Sequence, residues 1–73
     1  MDKGKIFVSL ESDETIKALD IFYGSEIPKQ GWKLTANGPQ IYSATKKERE
    51  LDIIIAKNKK SQKNTITINA GSN

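Results

Sequence analysis

A chain of 73 residues has room for one domain and buries only about 60% of its unfolded surface. It contains no cysteine and no histidine, which excludes a disulfide framework and argues against zinc, haem and iron–sulfur sites. Net charge is +3 and divides unevenly, at −1 over residues 1–36 and +4 over residues 37–73, a mild asymmetry and not a basic arm.

Met1 to Gly4 is expected to be a flexible end. Lys5 to Leu10 alternates, with Ile6, Val8 and Leu10 on one side and Phe7 and Ser9 on the other, the period of a strand. The stretch Thr15 to Trp32 organises the rest of the chain. Ile16, Leu19, Tyr23 and Ile27 share one helical face, with Phe22 at its edge. Ser12 is the expected N-cap, with Asp13 and Glu14 in the first turn, where carboxylates favour the positive end of the helix. Pro28 has no N–H, so a regular helix is expected to about Glu26. Gly31 supplies a left-handed closing residue, and Trp32 folds back over the helix end.

A second strand follows at Trp32 to Ala36. Asn37-Gly38-Pro39 is a turn with Gly38 at positive φ. Ile41 to Thr45 is a third strand, with Tyr42 and Ala44 on one face. Arg49 to Lys57 is the strongest strand signal: Leu51, Ile53 and Ile55 face one way and Ile54 and Ala56 the other, as in a central strand covered in part on both sides. Asn58 to Lys63 reads as a flexible basic hairpin loop, and Thr65 to Asn69 as a fifth strand with Ile66 and Ile68 inward. Residues 70–73 are expected to be a second flexible end, leaving a single domain at 5–69.

The fold class is therefore α+β, a two-layer sandwich with one helix on a mostly antiparallel sheet of four or five strands in the order β-α-β-β-β-β. The expected core is Ile6, Val8, Leu10, Ile16, Leu19, Phe22, Tyr23, Ile27, Trp32, Leu34, Leu51, Ile53, Ile55, Ile66 and Ile68. The pattern leaves open whether the first strand lies parallel beside the second or at another edge.

Phe22 to Trp32 reads F-Y-x-x-x-I-P-x-x-G-W. This resembles a small bacterial α/β module found in lipoproteins and in secreted or membrane-tethered proteins, whose helix ends in that pattern before a β-meander. The resemblance runs from about Ile6 to Ile68 and implies a fold and an envelope setting, with no site residues. In plan it is similar to the helix-on-sheet lipoprotein modules of outer-membrane assembly. No run of residues approaches the roughly 20 apolar positions of a membrane span, and Met1 to Lys5 is too polar to begin a signal peptide. The expected location is thus the envelope for an excised domain and the cytoplasm for a complete chain.

Three function classes remain to be weighed. Catalysis is not expected: the usual general base and thiol nucleophile are missing, no phosphate-binding glycine loop is present, and Glu11, Asp13 and Glu14 suit a strand end and helix start better than acid–base work. Nucleic-acid binding is the alternative function, through a basic rim of Lys46, Lys47, Arg49, Lys57, Lys59, Lys60 and Lys63. Lysine predominates there and gives point charges instead of bidentate contacts. The leading expectation is a non-catalytic accessory or protein-interaction domain without cofactor or metal. Its surface would be Phe7, Ile54 and Ala56 on the sheet face away from the helix, joined by Ile21, which points off the helix's apolar stripe. Self-association or an unknown protein partner would use that face, and an edge strand, with Thr65 to Asn69 as the candidate, would pair with another chain.

Overall fold

Thr15, not Ser12, caps the helix in the computed structural model, which describes residues 5–72. The Thr15 hydroxyl accepts from the Ala18 amide at 3.0 Å. The Ser12 hydroxyl instead accepts from the Glu14 amide at 3.0 Å, closing a tight turn ahead of the cap. Asp13 and Glu14 therefore precede the first helical turn, which carries no acid. Both hydroxyls are plausible caps on local grounds, and the turn at Ser12 moves the helix start forward.

The helix, α1, runs Ile16–Lys29 and passes through Pro28. The proline removes one donor, yet the Gln30 amide still reaches the Glu26 carbonyl at 3.0 Å, so the helix outlasts the expected stop at Glu26. Its end is a complete Schellman motif. Gly31, at φ +91°, donates to the Pro28 carbonyl at 2.9 Å, and Trp32 donates to the Ile27 carbonyl at 3.2 Å. Lys46 donates its ammonium to the Gln30 carbonyl at 3.0 Å and stands 5.9 Å over the Trp32 ring, a cation at the negative end of the helix.

The strands are β1 (Lys5–Ser12), β2 (Lys33–Asn37), β3 (Ile41–Lys46), β4 (Arg49–Asn58) and β5 (Lys63–Ser72). They form one sheet in the order β1-β5-β4-β3-β2, antiparallel at every junction. The last four strands make the expected meander, and β4 is central. The first strand lies at the far edge beside β5, with Val8 opposite Ile68 and Leu10 opposite Ile66. Thr65 to Asn69 is thus an inner segment, not an edge: the edges are β1 and β2. Four antiparallel steps leave β1 and β2 pointing the same way at opposite edges, so α1 carries the chain across the sheet. β5 also continues through Ala70 and Gly71 to Ser72, pairing with Ile6 and Lys5, where a flexible end was expected. The expected ends at residues 1–4 and 73 lie outside the described residues.

The core is Leu19, Ile27, Tyr42, Ala44, Ile53, Ile55 and Ile66, with Ile16, Tyr23, Trp32, Leu34, Leu51 and Ile68 packed at its border. Three expected core residues are exposed: Ile6 at 61%, Leu10 at 46% and Phe22 at 53%. Val8 is only half-buried. Geometry accounts for this. A helix is about 10 Å across, whereas five strands spaced about 4.8 Å apart span roughly 19 Å between edges. The helix lies on β2, β3 and β4, and the helix-side surface of β1 is left open. Tyr42 and Ala44, absent from the expected core, are almost completely buried instead, because β3 lies directly under the helix.

Trp32→Ala removes the apolar residue that closes the helix end against the core, and a loss of about 3 kcal/mol is expected, toward the low end for tryptophan because the ring is partly exposed. Gly31→Ala forces a side chain into left-handed backbone and should remove about 1 kcal/mol. Denaturant midpoints measure both, and a Trp32→Ala protein with an unchanged midpoint would contradict this closure.

Candidate functional site

The basic residues do not form one rim. Lys46, Lys47 and Arg49 flank the β3–β4 turn, while Lys57, Lys59, Lys60 and Lys63 flank the β4–β5 turn. These turns lie at opposite ends of β4, whose ten residues extend roughly 30 Å. At the first end, Lys46 is engaged with the helix terminus. At the second end, the loop is built as well as charged. Asn58 Oδ1 accepts from the amides of Lys60 at 2.9 Å and Ser61 at 3.4 Å, and Glu11 accepts from the Ser61 hydroxyl at 2.7 Å. Lys63 stands 3.9 Å from Asp13. The acidic β1–α1 connection thus faces the basic hairpin, with Asp13 beside Lys63.

The expected interaction face is also divided. Phe7, Ile54 and Ala56 do lie on the sheet face away from the helix, but Phe7 pairs with Asn69 and Ile54 with Thr67 and Ile41. Polar residues separate the two large side chains, and an Asp52–Ser43 hydrogen bond of 2.7 Å crosses the same surface. Ile21 is exposed on the helix, on the other side of the sheet. Ile21 therefore shares no surface with Phe7, Ile54 and Ala56.

Beneath the helix lies a polar cluster that, among the described residues, carries a large proton-affinity change. The Tyr42 hydroxyl is 2.6 Å from Asp20 Oδ1 and 3.0 Å from the Asp20 carbonyl oxygen. The same carboxylate oxygen accepts from the Gln40 amide at 2.8 Å. Gln40, at φ +67°, also donates through its side chain to the Ile55 carbonyl at 3.1 Å and accepts from the Ile55 amide at 2.8 Å. Burial, the hydrogen bond to Asp20 and the negative charge of Asp20 push the Tyr42 hydroxyl up to about 12. A catalytic tyrosine needs an accessible proton near the working pH, and this group moves the other way. The cluster is a latch from the middle of α1 to the β2–β3 turn. Gly38 gives it room: at φ +59°, a Cβ here would come within 2.9 Å of the Tyr42 oxygen.

An apolar groove lies on the helix side, beyond the latch. The groove, of about 570 Å³, opens between α1 and the β1–β5 pair, floored by Leu10 and Ile66 and walled by Leu19, Phe22 and Tyr23. Phe22 meets Tyr23 edge to face, with ring centres 5.0 Å apart. Burial raises the Tyr23 hydroxyl above its ordinary value. Ile6 and Val8 extend the apolar floor along β1 on the same face, since they oppose Ala70 and Ile68. Glu11, Ser12 and Glu14 supply a polar rim at one end. Among the described residues no cluster of histidine, cysteine, aspartate or glutamate is arranged to hold a metal, and no helix is long and apolar enough to cross a membrane.

The alternation of Ile6, Val8 and Leu10 marked this face as apolar, but not that the helix would leave it bare. Comparison with protein-family models, curated proteins and solved structures finds no match to this chain.

Because the Tyr42 affinity is raised in the folded state, the folded protein holds that proton more tightly than the unfolded chain. Its contribution is fully present below pH about 10 and declines as pH rises toward about 12. Denaturant midpoints measured across that range should fall more steeply in the wild type than in Tyr42→Phe. At neutral pH, Tyr42→Phe leaves the Asp20 carboxylate short of a donor and should destabilise by about 1–3 kcal/mol. Equal alkaline slopes in the two proteins would show that Tyr42 is not the titrating group.

Proposed function

We propose that this protein is a non-catalytic binding module that takes an apolar segment of another polypeptide on the helix side of its sheet. One observation carries the reading: Leu10 and Phe22 are exposed at the groove, and Ile6 is exposed further along the same face of β1, an edge strand that among the described residues has no pairing partner on its outer side. A groove that offers both apolar contacts and unpaired main-chain groups suits an extended chain added as a further strand. The chemistry of the buried polar groups supports a structural role for them, which leaves binding as the work of the surface. The resemblance of Phe22 to Trp32 to envelope modules supports an accessory role within a bacterial envelope protein. The residues of that pattern themselves form the helix end, where Ile27, Gly31 and Trp32 serve the fold.

Anilinonaphthalene sulfonate, which fluoresces in apolar grooves, tests the assignment of the surface. The wild type should enhance its emission. Leu10→Asp and Phe22→Asp should each remove most of that enhancement while shifting stability by only about 0.5 kcal/mol, since both positions are exposed. Phe7→Ser, on the other face, should leave the emission unchanged. Emission that follows Phe7 and ignores Leu10 and Phe22 would move the binding surface to the opposite side of the sheet.

A further inference from the structure

Resting on the reading of the helix side as a binding surface, the geometry points to a second copy of this chain as the partner, paired antiparallel through β1 with Val8 opposite Val8 of the other copy. The two edges of the sheet are not alike. β2 has five residues and a register shift between Leu34 and Ala36, features that blunt an edge. β1 has eight residues in unbroken register with β5, no proline and no bulge. It is the undefended edge.

Its sequence is also complementary to itself. With Val8 on the two-fold axis, Ile6 meets Leu10, Phe7 meets Ser9 and Lys5 meets Glu11, in each case across the two copies. Opposed residues of an antiparallel pair point to the same side, so the two helices fall on one face. Shifting the register by two residues toward the C-terminal end sets Phe7 against Glu11 and Ile6 against Ser12. A shift the other way leaves Glu11 without Lys5 and shortens the pairing. A shift by one turns the second copy over and places its helix on the opposite face. Only the Val8-centred register pairs Lys5 with Glu11 inside the strand and also sets Ile6 against Leu10 and Val8 against Val8, keeping these residues of both copies in one apolar strip. Glu11 accepts from Ser61 and Asn58 of the β4–β5 hairpin, so its carboxylate is held on the inboard side and the lysine of the second copy reaches it across the strand.

The product is a ten-stranded sheet with a helix over each outer part. Between the helices lies a single apolar trough, floored by β5 and β1 of each copy and walled by Phe22 and Tyr23. Each groove becomes one half of that trough. About six main-chain hydrogen bonds would form along the new junction.

The chain has no native cysteine, so single introduced thiols report the register. Val8→Cys should oxidise to a covalent dimer, because opposed residues lie within disulfide reach. Phe7→Cys should not, because its own counterpart sits two residues away across the junction. Light scattering on the wild type over a wide range of concentration should give twice the single-chain mass, and melting should rise with concentration. Lys5→Glu and Glu11→Lys should each lower the dimer fraction, with the doubly exchanged protein restoring it. A wild type that remains monomeric at all concentrations overturns the proposal, as does a dimer that cross-links at Phe7 and not at Val8. A monomer that still binds the dye through Leu10 and Phe22 overturns the pairing alone and leaves the binding-module reading standing. A monomer that binds no dye overturns both.

Discussion

A single helix has to serve five strands, and most of the molecule follows from that shortage. The helix covers about half the width of the sheet, so it must lie to one side, and the side is decided by how it is tied. Its C-terminal end passes through the Schellman motif at Gly31 directly into β2. Its middle is fastened to the β2–β3 turn by Asp20, which holds Tyr42 and Gln40. Both ties are on the β2 side. The β1–β5 pair at the opposite side keeps its apolar residues and loses its cover.

The polar ties are satisfied in detail. Among the described residues no buried side-chain nitrogen or oxygen lacks a hydrogen-bond partner. This matters in a domain whose core is so small, because an unpaired buried donor or acceptor costs about as much as a substantial part of total stability. The latch therefore acts as a locator: it is fully bonded only when Tyr42, Asp20 and the turn at Gly38 are in register. A helix displaced toward β1 would cover Ile6 and Leu10 but would leave the Asp20 carboxylate without Tyr42. Exposure of the apolar strip is the consequence of satisfying the polar cluster.

The sequence made the elements readable because each one repeats a local period: two along β1, β4 and β5, and the spacing of Ile16, Leu19, Tyr23 and Ile27 along the helix. Gly31 and Gly38 announced their backbone angles for the same reason, since the local chain required them. What local patterns do not carry is lateral position. Nothing in Lys5 to Leu10 specifies β5 as its neighbour. The apolar character of Ile6, Leu10 and Phe22 was visible, but burial was the natural expectation for it. The groove became recognisable only once sheet width was set against helix width. The burial of Tyr42 was missed because tyrosine fits either face of a strand, and its selection depended on Asp20, 22 residues earlier.

An exposed apolar strip is ordinarily a burden on so small a domain, and strand edges beside such strips are the usual starting points of aggregation. The β2 edge shows how this chain disarms an edge: it is short, bears Lys33 and carries a register shift. β1 is longer and keeps an unbroken register with β5. The pattern there is of a different kind, with a lysine at one end, a glutamate at the other and apolar residues between, so that reversal maps the strand onto its complement. Uncontrolled stacking continues indefinitely because each addition presents a fresh edge. Pairing of β1 with β1 presents only β2 edges afterwards, and those are blunted. In the proposed β1–β1 pair, the asymmetry between the two edges would allow one association and stop the next, closing the assembly at two copies.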